Sequence, residues 1–134
     1  MTSTRLIVVL ICSLASRLAL GADSFECTVT LVHAIDQDGQ MITSTEHLQR
    51  QVGNTFRVQR SDGSITGGDF FDSSTAEKIR VINEPEENSY YAIYESYGPN
   101  RMVGYLYIAN HRSWPTKPFT YTTAGEYIYS GVCV

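Results

Sequence analysis

The sequence predicts an all-β fold, mainly antiparallel, arranged as a small meander barrel or sandwich of about seven or eight strands with one short helix. Short stretches alternate apolar and polar residues with the period of two that turns one face of a strand inward. They recur at intervals of roughly ten residues and are separated by segments rich in glycine, proline, asparagine and aspartate. Such short connections join neighbouring antiparallel strands.

The first 21 residues have the order of a secretory signal peptide: a charged start, an apolar run and a small-residue end. Arg5 precedes the run, and Ala19 and Gly21 form the small pair before the expected cleavage site. The run is too short for a membrane helix, which needs about 20 apolar residues. We therefore expect residues 22–134 to form a single soluble β domain, secreted or periplasmic, with no integral membrane segment.

Charge argues against a nucleic acid partner. Loss of the leader removes Arg5 and Arg17 and takes the formal net charge from -4 to -6. Proteins that bind phosphate backbones concentrate lysine and arginine on one face, whereas the basic residues of the mature chain are scattered. No internal repeat and no proline-rich or serine-rich linker divides the sequence.

The mature chain opens on the first predicted strand, FECTVTLVH. Its predicted buried face consists of Phe25, Cys27, Val29 and Leu31. Further strands are predicted at NTFRVQR, KIRVIN, NSYYAIYES, RMVGYLYIA, PFTYTT and EYIYSGVC. After NTFRVQR, the dipeptide Asp62-Gly63 is typical of a two-residue hairpin and predicts a return strand at Ile65.

Two cysteines remain once Cys12 leaves with the leader: Cys27 in the first predicted strand and Cys133 in the last. In an oxidising compartment such a pair predicts a disulfide. A zinc site would need a CxxC pair or nearby histidines, and a free thiol is the other alternative. A bond between terminal strands makes them neighbours, which favours a barrel over a sandwich. In the chain-entropy model, closing a loop of about 100 residues stabilises the fold by roughly 4 to 5 kcal/mol.

The segment AIDQDGQMITSTEHL resembles a calcium loop at first sight. With Gly39 at the sixth position of an EF-hand loop, Asp36 and Asp38 take ligand positions, but an alanine falls first and a threonine twelfth. Glu46 comes one place too late to be the bidentate ligand. We therefore predict no metal site here. The segment is interpreted as a polar turn, with Asp38 and Gly39 at positive φ.

One short helix is predicted near residues 44–52. Thr43 and Glu46 have the spacing of a capping box, in which each side chain accepts a hydrogen bond from the other residue's backbone N–H. Leu48 lies four residues before Val52, so both fall on one helical face, and the following glycine can end the helix.

The binding candidates are aromatic. Tyr105 and Tyr107 have the strand period of two, so their phenols can form rows with tyrosines of neighbouring strands. The loop NHRSWPTKPF places Trp114, the only tryptophan, beside His111 and Arg112, which indicates a recognition surface. The alternative is structural, since tyrosine suits strands and Trp114 can plug one end of a barrel.

No catalytic residue is predicted. The sequence lacks a G-x-S-x-G elbow, an H-E-x-x-H helix and a glycine-rich phosphate loop before a helix. Its three histidines are far apart in the chain. We therefore predict neither an enzyme nor a cofactor.

Three segments carry a resemblance: the F-x-C-x-V opening, the RSDGSITGG hairpin and the closing KPF and GEYIYSGVC. They resemble short secreted or periplasmic proteins of unknown function from Gram-negative bacteria, over most of the mature chain. In architecture the chain is also similar to small periplasmic lysozyme inhibitors, which have a signal peptide, a small β-barrel and an end-to-end disulfide. Their inhibitory loop carries a Ser-Gly-x-x-Tyr type signature, whereas this sequence has only YSGVC at its end, so no inhibitory residue is transferred.

These observations favour a non-enzymatic binding or interaction module whose partner is a protein or a small apolar ligand. The alternatives are a small-molecule carrier with a barrel cavity, an inhibitor of lysozyme-type enzymes and, less favoured, a hydrolase with an unrecognised site. A carrier predicts an open apolar cavity, and an enzyme predicts a cleft with convergent titratable residues. An interaction module predicts a filled interior and an exposed patch of tyrosine and tryptophan.

Overall fold

A computed structural model describes residues 23–43, 45–68, 75–84, 88–97, 101–111, 113–123 and 127–134. The predicted signal peptide lies outside these residues. The elements, in chain order, are β1 Ser24–Ile35, β2 Met41–Ile42, α1 Glu46–Gln49, β3 Thr55–Gln59, β4 Ile65–Thr66, β5 Lys78–Glu84, β6 Ser89–Ser96, β7 Met102–Ala109, β8 Lys117–Thr123 and β9 Tyr127–Cys133. Every predicted strand is present, and the predicted all-β fold with one short helix is confirmed.

The strands form one antiparallel sheet that curls into a half-barrel. Its order is β4, β3, β1, β9, β8, β7, β6, β5, and β2 adds to β1 beside this path. From β5 to β9 each strand pairs with the next in sequence, as expected of a meander. Within the described part of the chain, β4 and β5 are the two edges, so the terminal strands lie in the middle of the sheet.

The predicted disulfide joins Cys27 of β1 to Cys133 of β9. Glu26 and Val134, the next pair along these strands, exchange both main-chain hydrogen bonds at 3.1 and 2.9 Å. Cys27 and Cys133 therefore form a non-hydrogen-bonded pair, the closer of the two kinds in an antiparallel ladder, and their Cα atoms are 3.9 Å apart. The strand register thus places the two cysteines directly opposite each other.

One residue of the predicted buried face of β1 lies outside. Leu31 is 41% exposed, whereas Val32 is 1% exposed. The register between β1 and β9 shifts between Val29 and Leu31, so one extra residue enters β1 and inverts its alternation. The prediction for Leu31 was wrong because a β-bulge interrupts the strict period of two.

The segment interpreted as a turn connects β1 to β2. A carboxylate oxygen of Asp36 accepts hydrogen bonds from the backbone N–H groups of Asp38 and Gln40, at 3.0 and 2.7 Å. Gly39 has a φ of 74°. Asp38 has negative φ, so only the glycine needed conformational freedom. The Asp36 carboxylate therefore organises the turn by accepting hydrogen bonds from the backbone that follows it.

The helix is shorter than predicted and begins with a different cap. Helix α1 spans Glu46–Gln49, and Thr45 is its N-cap, whose hydroxyl accepts a hydrogen bond from the Leu48 backbone N–H at 3.3 Å. The capping box predicted from Thr43 was therefore placed two residues too early. Leu48 is 2% exposed and is the residue that fixes the helix to the core.

The inner face of the half-barrel is filled by large side chains. Tyr90 and Phe25 meet edge to face with ring centroids 5.1 Å apart, and Phe56 and Phe119 do so at 5.2 Å. Leu106 is fully buried among the same core residues. The interior is therefore packed by aromatic and aliphatic groups from both halves of the sheet.

The β3–β4 hairpin packs onto the inner face of β5 and β6. The Tyr94 hydroxyl donates a hydrogen bond to the carbonyl oxygen of Gly63 at 2.7 Å, and the Tyr90 hydroxyl donates to that of Gln59 at 3.3 Å. The hairpin loop covers residues 60–63, with the Gln59 N–H bonded to the Ser64 carbonyl. The two-residue hairpin predicted at Asp62-Gly63 is thus a longer loop, in which only Gly63 has positive φ.

Candidate functional site

The tyrosines of β6 and β7 divide between the two faces of the sheet. Tyr90 and Tyr94 point inward and are 0% and 5% exposed. Tyr91 follows Tyr90 directly and, because side chains alternate along a strand, points outward. Tyr105 and Tyr107 of β7 point outward too, and Tyr105 is 38% exposed.

The three outward tyrosines form one cluster, which we name the outer tyrosine row: Tyr91, Tyr105 and Tyr107. Tyr91 is the register partner of Tyr107, and their ring centroids are 5.2 Å apart at an interplanar angle of 34°. The Tyr91 ring also lies 5.9 Å from that of Tyr105, at 37°. Tyr91 therefore contacts both neighbours, with its ring tilted against each of theirs.

Apolar side chains continue the row, and charged side chains lie at one end of it. Ile82 of β5 pairs with Tyr91 and is 38% exposed. Ile93 pairs with Tyr105, one step along the strands. The outward positions beyond these are Lys78, Arg80, Glu95 and Val103. An apolar aromatic centre with charged side chains at its end has the composition of a protein–protein interface.

The second predicted group lies in the loop between β7 and β8. The ring centroids of His111 and Trp114 are 4.4 Å apart. The backbone N–H of Trp114 donates a hydrogen bond to the backbone carbonyl oxygen of His111 at 3.2 Å. Trp114 is 46% exposed, so it lies on the surface instead of plugging the barrel. Arg112 lies outside the described residues. The structure thus brings the predicted candidates together as two separate contacts, Tyr105 and Tyr107 around Tyr91, and His111 on Trp114.

Tyr91 was the residue that sequence reasoning missed. The signal was present in the dipeptide Tyr90-Tyr91, because neighbouring residues of a strand must face opposite ways. Without the register between β6 and β7, however, either tyrosine of the pair could have been the outward one. Ile82 and Ile93 were missed for the same reason.

The resolved pKa shifts mark a packed core. Burial raises the pKa of Tyr90 to about 12 and that of Tyr129 to about 12, with smaller contributions from neighbouring charged groups. Burial also raises the pKa of Tyr94. On the surface, hydrogen bonds from Ser64 lower the pKa of Asp62 in the hairpin loop. The Tyr90, Tyr94 and Tyr129 phenols lie in the interior, where the neutral form is favoured because the charged phenolate would lose its hydration.

An open groove of about 420 Å³ lies on the outside of the sheet near the C-terminus. Its walls are Glu26, Cys27, Thr28, Thr55, Phe56, Arg57, Thr66, Gly67 and Val134. The Arg57 guanidinium donates to the Glu26 carboxylate across it, and both side chains are more than half exposed. The charged groups of this groove therefore satisfy each other.

Among the described residues, no three or more histidine, cysteine, aspartate or glutamate side chains are grouped so as to hold a metal ion. In the same part of the chain, no helix has the length and apolar character needed to cross a membrane. The fold and its surface together define a disulfide-bonded, curled antiparallel sheet with an aromatic outer face. No family model, curated protein or solved structure matches the chain.

Proposed function

We propose that this protein is a non-enzymatic binding module and that the outer tyrosine row is its docking surface for a partner protein. The observation that carries the proposal is the position of Tyr91 between Tyr105 and Tyr107 on the outer face of the sheet. Tyrosine offers a large contact area with few rotatable bonds. Since the sheet and the stacking already order these rings, a partner binds them at a low cost in conformational entropy.

The filled interior favours this proposal over a small-molecule carrier. A carrier needs a concave apolar site that encloses most of its ligand. In this half-barrel Tyr90, Phe25 and Phe119 occupy the inner face and are at most 2% exposed. The outer tyrosine row is an open surface, which suits a broad protein partner better than a small ligand.

The distribution of ionisable groups favours binding over catalysis. A catalytic site combines a cleft with convergent titratable groups of perturbed pKa. The largest upward pKa shifts resolved here belong to core tyrosines, and Tyr94 already donates its hydroxyl to Gly63. The positions of these tyrosines are explained by core packing and, for Tyr90 and Tyr94, by their hydrogen bonds to the β3–β4 hairpin.

The proposed compartment is secreted or periplasmic. The disulfide between Cys27 and Cys133 is compatible with an oxidising environment. The apolar leader predicted at residues 1–21 supports the same assignment. Mass spectrometry of the secreted or periplasmic protein should give a chain that begins near residue 22 and lacks free thiols; an intact leader would contradict the assignment.

The docking surface is tested by mutation of two exposed tyrosines. Immobilised mature protein is used to capture candidates from the extracytoplasmic fraction, and each candidate is then purified and titrated against the wild type. The double variant Tyr105→Ser/Tyr107→Ser should raise the dissociation constant at least about tenfold, as expected of central aromatic anchors.

The matched control is Tyr97→Ser, which makes the same chemical change at a tyrosine that is 46% exposed and outside the row. This variant should bind like the wild type. Equal affinity of the double variant and the wild type for every purified candidate would overturn the proposal.

A further inference from the structure

The two edges of the half-barrel differ in their capacity to pair with another strand. The β4 edge has only two residues, and Gly67 and Gly68 follow it at φ values of 79° and 74°. The β5 edge has seven residues in continuous register with β6, from Lys78 to Glu84, without a bulge or a proline. Native sheets blunt exposed edges with short strands, prolines, bulges or charged side chains. The β4 edge is protected by its shortness, whereas β5 has only its charged side chains, such as Lys78 and Arg80.

Within the described residues, β6 is the only main-chain partner of β5. The charged side chains of β5 do not obstruct the edge, because Lys78 and Arg80 occupy the outward positions and project from the face of the sheet. On the inner face, Ile79 and Val81 pack against the core. Among the described residues, no strand other than β6 pairs with the N–H and C=O groups of β5, so one edge of β5 is left for a second strand.

We propose that β5 pairs antiparallel with β5 of a second copy of this chain, with the two-fold axis at Val81. In this register Arg80 lies opposite Ile82 of the second copy, and the lysine at position 78 lies opposite the glutamate at position 84. Unlike charges directly across two strands stabilise a sheet. Because the axis repeats each pair, this pair of unlike charges occurs twice in the paired strands.

Neighbouring registers are less suitable. An axis at Arg80 places two arginines directly opposite each other, which is repulsive. An axis at Ile82 places Ile79 opposite the proline at position 85, which has no N–H to donate. Registers whose axis falls midway between two residues would bring inward positions opposite outward ones. The axis at Val81 avoids all three conflicts.

Pairing in this register extends the outer face across both copies. Ile82 is beside Tyr91, so each copy would add its aromatic surface to one continuous sheet. The second copy is the preferred occupant because the complementarity described above needs no residue from any other protein. The pairing is independent of the docking function proposed for the outer tyrosine row.

The test compares Ile82→Arg with Ile82→Glu by sedimentation equilibrium of the mature protein over a concentration series that reaches the millimolar range. Both variants remove the same apolar side chain from an exposed position, but arginine would face Arg80 of the second copy, whereas glutamate would pair with it. We expect Ile82→Arg to raise the dimer dissociation constant about tenfold, since two like-charge pairs arise. Ile82→Glu should dimerise at least as well as the wild type.

Hydrogen exchange provides a second measurement. At high protein concentration the amides of β5 should exchange more slowly than at low concentration, while those of β4 should not change. Both variants should unfold at the same temperature as the wild type at a dilution where all are monomeric. A wild type that stays monomeric throughout, or an equal loss of dimer in the two variants, would overturn the proposal.

Discussion

Tyrosines lie on both the inner and the outer face of the β6–β7 part of the sheet, but they have different structural roles on the two faces. On the inner face, the hydroxyls of Tyr90 and Tyr94 hold the β3–β4 hairpin against the sheet. On the outer face, Tyr91, Tyr105 and Tyr107 stack on one another and remain partly exposed. A tyrosine's role in a strand is therefore decided by the face on which it lies, since burial determines whether its hydroxyl must find a protein partner.

The largest expected loss of stability follows a change at Gly63, the hairpin residue whose carbonyl oxygen accepts the Tyr94 hydroxyl. In Gly63→Ala the new Cβ would come within 2.8 Å of Val81 and 2.9 Å of Ile79, at a φ of 75°. We expect a loss of about 3 kcal/mol in the free energy of unfolding, from overpacking together with the left-handed conformation. Urea unfolding measures it.

The control for this change is Gly39→Ala, which has nearly the same φ of 74° but no heavy atom within 4 Å of the new Cβ. It should lose only about 1 to 2 kcal/mol, from the conformational penalty alone. Equal losses at the two glycines would show that hairpin packing contributes nothing.

A smaller effect is expected when one inner hydroxyl is removed. Tyr94→Phe keeps the ring but leaves the Gly63 carbonyl oxygen without its donor, which should cost about 1 to 3 kcal/mol in unfolding free energy. On the outer face, Tyr107→Phe should change the free energy of unfolding by less than about 0.5 kcal/mol. If the two phenylalanine variants are equally stable, the distinction between the two faces fails.

Alkaline pH should weaken the inner face before the outer one. Burial raises the pKa of Tyr90 and Tyr129 to about 12, above the ordinary value near 10. The native state therefore keeps protons that the unfolded state releases, so this contribution to stability is complete below pH 10 and is lost as the pH rises toward 12. Thermal unfolding followed from pH 8 to pH 12 should show a falling midpoint in wild type and a smaller fall in Tyr90→Phe.

A small effect on stability is also expected when the exposed Tyr105 is truncated. Tyr105→Ser should change the free energy of unfolding by less than about 1 kcal/mol, because a cross-strand aromatic pair contributes only that much. The same substitution removes part of the proposed docking surface. A stability loss as large as that of Tyr94→Phe would mean that Tyr105 is structural.

Local patterns were sufficient to predict most of the strands. The alternation in KIRVIN and RMVGYLYIA corresponds to β5 and β7 within one or two residues. The two-residue strand β2 was missed because a pair of residues has no periodicity to detect. Leu31 was assigned to the wrong face since a bulge depends on how β9 meets β1.

The candidate site was predicted less well than the fold. Tyr105 and Tyr107 were identified from their spacing alone, but Tyr91 and Ile82 enter the surface only through the pairing of β5, β6 and β7. Such pairing joins residues that are distant in sequence, and no local pattern records it. Sequence reasoning can therefore find members of a cross-strand cluster without finding the cluster.

The sequence by itself determined the all-β class and the order of the strands along the chain, through side-chain alternation and turn residues. It also determined the pairing of Cys27 with Cys133, because these are the two cysteines outside the predicted leader. Only the tertiary structure decided that β4 and β5 are the two edges of the sheet among the described residues, and that the hydroxyls of Tyr90 and Tyr94 hold the β3–β4 hairpin against its inner face. The physical reason is that curvature and register are set by contacts between distant strands, which reward burial and hydrogen bonding of the whole sheet at once.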